Sequence, residues 1–331
     1  MNISRRSVLL AGASMLCALT LGLSGEAQAQ TVLRYAHVQP EGHATNQSAL
    51  WLGEELGKAN DGALELQVFP GGQLGGPNEM LDALQVGDLD FAWIASAGLA
   101  QSIPEFSVFS LSYLFRDDDH FRSAMAPGAP LFEHLKEIVS QSPYGVELVG
   151  VLGGVPRNVY NKVRSIETPG DLEGVKLRVQ SSPVEARIWD RLGATPQQLA
   201  WTEIYTGMQT GVVDGAESSV DAYLSNNFNE VANYLSLTRH QYLVLPLLMS
   251  KRTIAELGDQ AAGVIEMAQA SGVQNQELYQ SGAAAAQAEA ESRGVIVNEP
   301  DTAPFKAMIS DMLQEEAERY NATEILSMLE N

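Results

Sequence analysis

The sequence predicts an α/β protein of two lobes, and three observations carry that expectation. A strand–helix–strand order opens the chain. Thr31 to Val38 reads as a strand, Asn46 to Asp61 repeats apolar residues at helical spacing, and Ala63 to Pro70 reads as a second strand stopped by Pro70 and a Gly-rich turn. That order suits a parallel sheet covered by helices. Next, "LQVGDLD" (84–90) and "MQTGVVD" (208–214) share the pattern apolar-Gln-x-Gly-x-apolar-Asp. Each follows a helical segment and leads into an expected strand, so the chain repeats one plan. Finally, 331 residues at 45% hydrophobic give room for about two domains of ordinary size.

Taken in order, the elements have local reasons. Gly87 and Gly211 fit the left-handed position that ends a helix, and Asn78 and Thr202 are the expected amino-terminal caps of the helices before them. "FRDDDHF" (115–121) reads as the start of a solvated helix, with no matching set of metal ligands elsewhere. "VELVGVLGGV" (146–155) is an apolar strand; its glycines lack the strand–GxGxxG–helix context of a dinucleotide site. In "SIETPGDLEGVKLRV" (165–179) Thr168 caps a helix, Pro169 suits its first turn and Gly174 ends it before a strand. The carboxyl third is Ala-, Gln- and Glu-rich, with Ile265, Met267, Leu278 and Tyr279 to bury, and reads as long packed helices.

The amino terminus reads as an export signal. Ser4-Arg5-Arg6 is its positive region, Val8 to Leu23 its apolar run and Ala27-Gln28-Ala29 its cleavage site, giving a signal peptide over 1–29. The apolar run falls short of the ~20 residues that span a bilayer, so no membrane insertion of the mature chain is expected. "SRRSVLL" also resembles a twin-arginine signal, although Val8 and Leu10 stand where Phe and Lys are usual. The sole cysteine, Cys17, lies in this segment, leaving no disulfide, thiol nucleophile or Cys-based metal site in the mature chain. A formal charge of −21 without a Lys/Arg run beyond the first residues excludes a nucleic-acid partner. It also disfavours anionic lipid.

Against that acidity, "VKLRVQSSP" (175–183) places Arg178 near the carboxyl end of a strand, before a small polar turn. Open α/β sheets bind ligands at strand ends of this kind. A second arginine, Arg157, follows the apolar strand at 146–155. Two guanidinium forks converging on one spot repel unless an anion sits between them, and a carboxylate fits the fork bidentately. No Gly-x-Ser-x-Gly, His-Glu-x-x-His or Walker sequence is present.

Together, "DLEGVKLRVQSSP" (171–183), "LGATPQQLAWTEIYTGMQTGVVDGAES" (192–218), "FPGGQLGGPNEMLDALQVGDLDF" (69–91) and "EVANYLSLTRH" (230–240) resemble the DctP-type solute-binding proteins of TRAP transporters, which are tripartite ATP-independent periplasmic uptake systems. The resemblance covers nearly all the mature chain. It implies a two-lobed periplasmic-binding-protein-like fold with the ligand cleft between the lobes and a long connecting helix. Residues 31–153 plus 243–285 would form lobe I, and 154–242 plus 286–331 lobe II. It further implies that Arg178 clamps a ligand carboxylate with help from Arg157, and that Trp201 lines the pocket. Glu217-Ser218 stands where relatives that bind sugar acids carry Glu-Asn; Ser218 offers a hydroxyl in place of an amide. Ser96, Gln73, Glu41 and His43 are further candidate contacts. His240 either faces the cleft or is a hydrogen-bonded hinge residue.

The function these readings imply is capture of a small organic acid in the periplasm, without a cofactor, and its delivery to a membrane permease. A sugar acid such as an uronate or aldonate is the first expectation, a C4-dicarboxylate or keto acid the second. A periplasmic enzyme acting on an anionic substrate is the rival from another class, and a sensor subunit a third reading.

Overall fold

The computed structural model describes residues 30–330, so the expected export signal, Cys17 included, lies outside the described residues. The strands are β1 (Thr31–Ala36), β2 (Leu64–Phe69), β3 (Phe91–Trp93), β4 (Val146–Asn161), β5 (Lys176–Val179), β6 (Thr195–Gln198), β7 (Gly215–Ser218), β8 (Tyr234–Ser250) and β9 (Ile296–Asn298). They form one sheet in the order β2-β1-β3-β8-β4-β7-β5-β6, with β9 also paired to β8. Parallel β1–β2–β3 make one half, and parallel β5–β6 with β7 the other. The long antiparallel pair β4 and β8 runs through both halves as a spine. Leu33, Leu52, Leu56 and Phe91 pack in one half and Tyr160, Ile204, Met208 and Leu235 in the other, while a third core runs through both, from Leu84 and Leu89 to Leu177 and Val179.

The opening β-α-β reading holds to within a few residues. The helix is Ala44–Ala59, with Leu52 and Leu56 fully buried, and its strands pair in parallel. The internal echo is structural: helices Pro77–Val86 and Ile204–Thr210 both end on a left-handed glycine, Gly87 and Gly211, each at φ 81°. Their expected caps are corrected. Gly76 caps the first helix with Pro77 behind it, and the Glu79 carboxylate accepts the Gly76 N–H at 3.0 Å, so Asn78 already lies inside the helix. Thr202 sits within a single 3-10 turn, Trp201–Glu203, that runs into the second helix.

β4 changes register with β8 at three places, and the middle one, between Gly153 and Pro156, is a glycine bulge at which the strand bends. Gly153 has φ +98°, and a Cβ there would lie 2.1 Å from the Leu243 carbonyl oxygen; at Gly154, φ +74°, it would meet the Phe121 ring at 2.7 Å. The paired glycines of "GVLGG" thus serve a bulge that only glycine fits. Helix Ala261–Ser292 crosses behind this bend. The Asn275 side-chain oxygen accepts the Gly153 N–H at 2.9 Å, and Gln276 donates to the Val151 carbonyl at 3.0 Å, satisfying backbone groups that the bulge frees. Its buried face is small and polar, with Ala268, Ser271, Gly272 and Asn275 joined by Tyr279, while Ile265, Met267 and Leu278 are half-buried. Small residues let the helix backbone approach β4 closely.

Candidate functional site

Arg178 is the third residue of β5 and is 4% exposed. Its Nε donates to the Leu199 carbonyl at 2.9 Å, and its Cζ lies 5.8 Å from the Trp201 ring centroid. Nη1 is buried with no hydrogen-bond partner among the described residues. Burial and the like charge of Arg157 pull its pKa down, although Glu217 opposes this. The guanidinium is thus a buried cation without an ion-pair partner, which is costly unless an anion reaches it.

Arg157 is different, and its placement corrects two expectations. It lies within β4, opposite Gln241 of β8, instead of after the strand. Its Nε and Nη2 grip both carboxylate oxygens of Glu217 in β7, and Nη2 also donates to the Glu217 carbonyl at 3.0 Å. Burial pushes the Glu217 carboxyl up, but the Arg157 charge and bonds outweigh it and hold it at about 2. The anion expected between the two arginines is therefore partly built in. Glu217 neutralises Arg157, whereas Arg178 makes no ion pair among the described residues.

Arg178 and Arg157 line a cavity of about 410 Å³ between the two halves of the sheet, within the roughly 300–1,000 Å³ of small-molecule sites. Trp201 and Ser218 line it too, as do Gln39, Trp93, Ala95, Gln180 and Ser219. Besides Arg178 Nη1, the Trp93 and Trp201 indole nitrogens are buried without a partner among the described residues, whereas the Ser219 hydroxyl bonds the Asp221 carboxylate. Buried polar atoms in folded proteins are nearly always satisfied. Three unsatisfied donors around one cavity mark a place built for a polar guest carrying acceptors.

The other candidate contacts fall elsewhere. Glu217 is fully buried beneath the wall, held by Arg157. Ser96 is buried in the turn beside Ala95, which takes the lining position. Gln73 and Glu41 are exposed; Gly72 and Gly75, on either side of Gln73, line the cavity instead. His43 belongs to a second, larger cavity of about 480 Å³ that lacks Arg178. There its Nδ1 accepts the Thr45 N–H at 3.2 Å as a helix cap, and its Nε2 meets Asp221 Oδ2 at 3.1 Å. His240 is a spine residue: Nδ1 contacts Thr238 Oγ1 at 2.9 Å, Nε2 lies 3.4 Å from Glu217, and its ring packs edge-on to Trp189. Burial lowers its pKa despite Glu217.

Sequence reading missed Trp93, Gln39 and Ser219, while the small polar turn after Arg178 does line the cavity, through Gln180 and Ser181. The strand-end rule that found Arg178 also finds Trp93, the last residue of β3 in "DFAWIAS". Gln39 has no local signal. Its oxygen accepts from Asn226 Nδ2 at 3.0 Å, a contact 187 residues apart that joins the two halves.

Two α/β halves on a shared two-strand spine, with a buried unpaired cation in the crevice, define a two-lobed ligand-binding protein. Residues 35–319 match the model of the DctP family, bacterial extracellular solute-binding protein family 7, and the chain belongs to that family. It is 32% identical over 279 residues to a solute-binding protein of Sulfitobacter sp. NAS-14.1, covering 83% of this chain and 82% of that one. It is 31% identical over 241 residues to the C4-dicarboxylate-binding periplasmic protein DctP of Rhodobacter capsulatus, covering 71% and 70%. Among solved structures it is similar to a TRAP periplasmic solute-binding protein of Citrobacter koseri with bound D-glucuronate, at TM-score 0.84, 29% identity, and 91% and 99% coverage. A second, from Sulfitobacter sp. NAS-14.1 with bound β-D-galacturonate, matches at TM-score 0.84, 26% identity, and 90% and 99% coverage.

Proposed function

We propose that this solute-binding protein captures a sugar acid, an uronate or aldonate, in the periplasm and delivers it to the membrane permease of a TRAP transporter. The observation that carries the reading is Arg178, a buried guanidinium without an ion-pair partner among the described residues, beside the unsatisfied indole donors of Trp93 and Trp201. The ligand carboxylate docks on Arg178, and ring or chain hydroxyls accept from the two indoles. Because Glu217 already neutralises Arg157, Arg178 is the one lining arginine without an ion-pair partner among the described residues, and the Glu79 carboxylate faces the same cavity. That favours one carboxylate over two and places the sugar acid ahead of a C4-dicarboxylate. The D-glucuronate and β-D-galacturonate of the related structures support the same class.

Contacts from both lobes favour the closed state, shifting the lobe equilibrium by their differential affinity. The working division, 31–153 plus 243–285 against 154–242 plus 286–331, is supported by the register shift of the spine at Gly153–Pro156. Binding between lobes that must reopen requires no chemistry on the ligand. An export signal over 1–29 is part of the reading, and among the described residues no helix is long and apolar enough to cross a membrane. The test is a thermal-shift screen over uronates, aldonates, C4-dicarboxylates and keto acids, since a binder raises the melting temperature by mass action. A dicarboxylate as the best ligand, with sugar acids inert, would overturn the assignment.

A further inference from the structure

The residue after β5 adds a second reading instruction to the cavity. Gln180 lies two positions beyond Arg178, so alternation along the extended chain turns both side chains to the same side, and both line the cavity. The Gln180 side-chain nitrogen donates to Glu185 Oε1 at 2.7 Å, and the Gln180 backbone N–H donates to Glu185 Oε2 at 3.0 Å. Glu185 is 2% exposed and sits in the first turn of helix Pro183–Arg191. An ionised carboxylate only accepts hydrogen bonds, so the amide must turn its NH2 toward Glu185. The charged groups near this acid are Arg157, Arg178 and Glu217.

We propose that Glu185 is a positioning residue that holds the Gln180 carbonyl oxygen toward the cavity, making the subsite beside Arg178 accept a hydrogen bond from a ligand hydroxyl and reject a second carboxylate. This rests on the sugar-acid reading above and deepens it. The carboxylate seat selects an acid; Gln180 selects a hydroxy acid. Specificity arises because a carboxylate or fluorine in this subsite meets an acceptor and has no proton to give.

Glu185→Gln gives a sharp test. The Gln180 backbone N–H still needs an acceptor, so the new amide keeps its oxygen there and turns its NH2 toward Gln180. The Gln180 amide then reverses and shows its NH2 to the cavity. Titrations of D-galacturonate and its monodeoxyfluoro derivatives are run at pH 8, where a carboxyl that burial raises to about 7 is ionised. Fluorine is near a hydroxyl in size but cannot donate. In the wild type, fluorine at one ring position should weaken binding by about tenfold or more, the loss of one hydrogen bond with its acceptor left buried. In Glu185→Gln the penalty at that position should fall to about threefold or less, while the parent sugar acid still binds. Gln180→Leu, which removes the acceptor, should erase the same penalty and serves if Glu185→Gln does not fold. The proposal is overturned if no position shows a penalty in the wild type, or if the penalty survives unchanged in the variants. Failure of every sugar acid to bind the wild type would instead overturn the functional reading, and this inference with it.

Discussion

Replacing Arg178 by Gln removes the unpaired guanidinium of the cavity while keeping a donor for the Leu199 carbonyl that Nε holds at 2.9 Å. A carboxylate seated on the guanidinium fork makes two charge-assisted hydrogen bonds, each worth roughly 1.5–3 kcal/mol. Their loss predicts a fall in affinity of about 10²–10⁴-fold. The unliganded protein should respond the other way. Arg178 is 4% exposed, has no ion-pair partner and already feels Arg157 beside it, so deleting its charge removes a desolvation cost. The melting temperature of the unliganded variant should hold or rise as binding collapses. Titration calorimetry with the best sugar acid, with scanning calorimetry of both unliganded proteins, reads the two effects. Binding within threefold of the wild type would refute the clamp. Lost binding together with a large loss of stability would refute the claim that the charge serves the ligand and not the fold.

Arg157→Met should behave oppositely, because it strands the Glu217 carboxylate in the core. A loss of roughly 3–5 kcal/mol, seen by urea unfolding without ligand, is expected. The buried acids give opposed pH dependences. Glu185, raised to about 7 by burial and Glu217, contributes stability that is present below its unfolded pKa and lost as pH rises through about 7, by at most roughly 3 kcal/mol. Glu217, held at about 2 by Arg157 against burial, contributes stability present above its unfolded pKa and lost as pH falls through about 2. Melting curves from pH 4 to 8 should show the first slope in the wild type and not in Glu185→Gln. Asp221→Ala removes the 3.1 Å contact to His43 that joins helix Val220–Ser225 to the loop after β1. A fall in sugar-acid affinity of about two- to tenfold, without any ligand contact being touched, should appear by titration; an unchanged Kd would show that this contact does not bias closure.

The sequence by itself determined what depends on neighbours a few residues apart. Helical spacing over Ala44–Ala59, the left-handed glycines Gly87 and Gly211 that close two equivalent helices, and the Thr168 cap before β5 were all legible, although the helix expected there is a single 3-10 turn, Pro169–Leu172. So was Arg178 at a strand end, since the cue is one charge against an apolar alternation. The cap positions at Asn78 and Thr202 misled because a Gly–Pro pair and a 3-10 turn supplied the helix starts instead. Tertiary structure alone decided that β4 and β8 form a common spine, that Gln39 meets Asn226 from the far half, and that Glu217 grips Arg157 across 60 residues. The last contact turns two equivalent-looking arginines into a neutral pair and a free cation. The reason is physical: a helix or turn is fixed by bonds within one stretch of chain, whereas the charge state of a buried site is a sum over groups that only folding brings within a few ångströms.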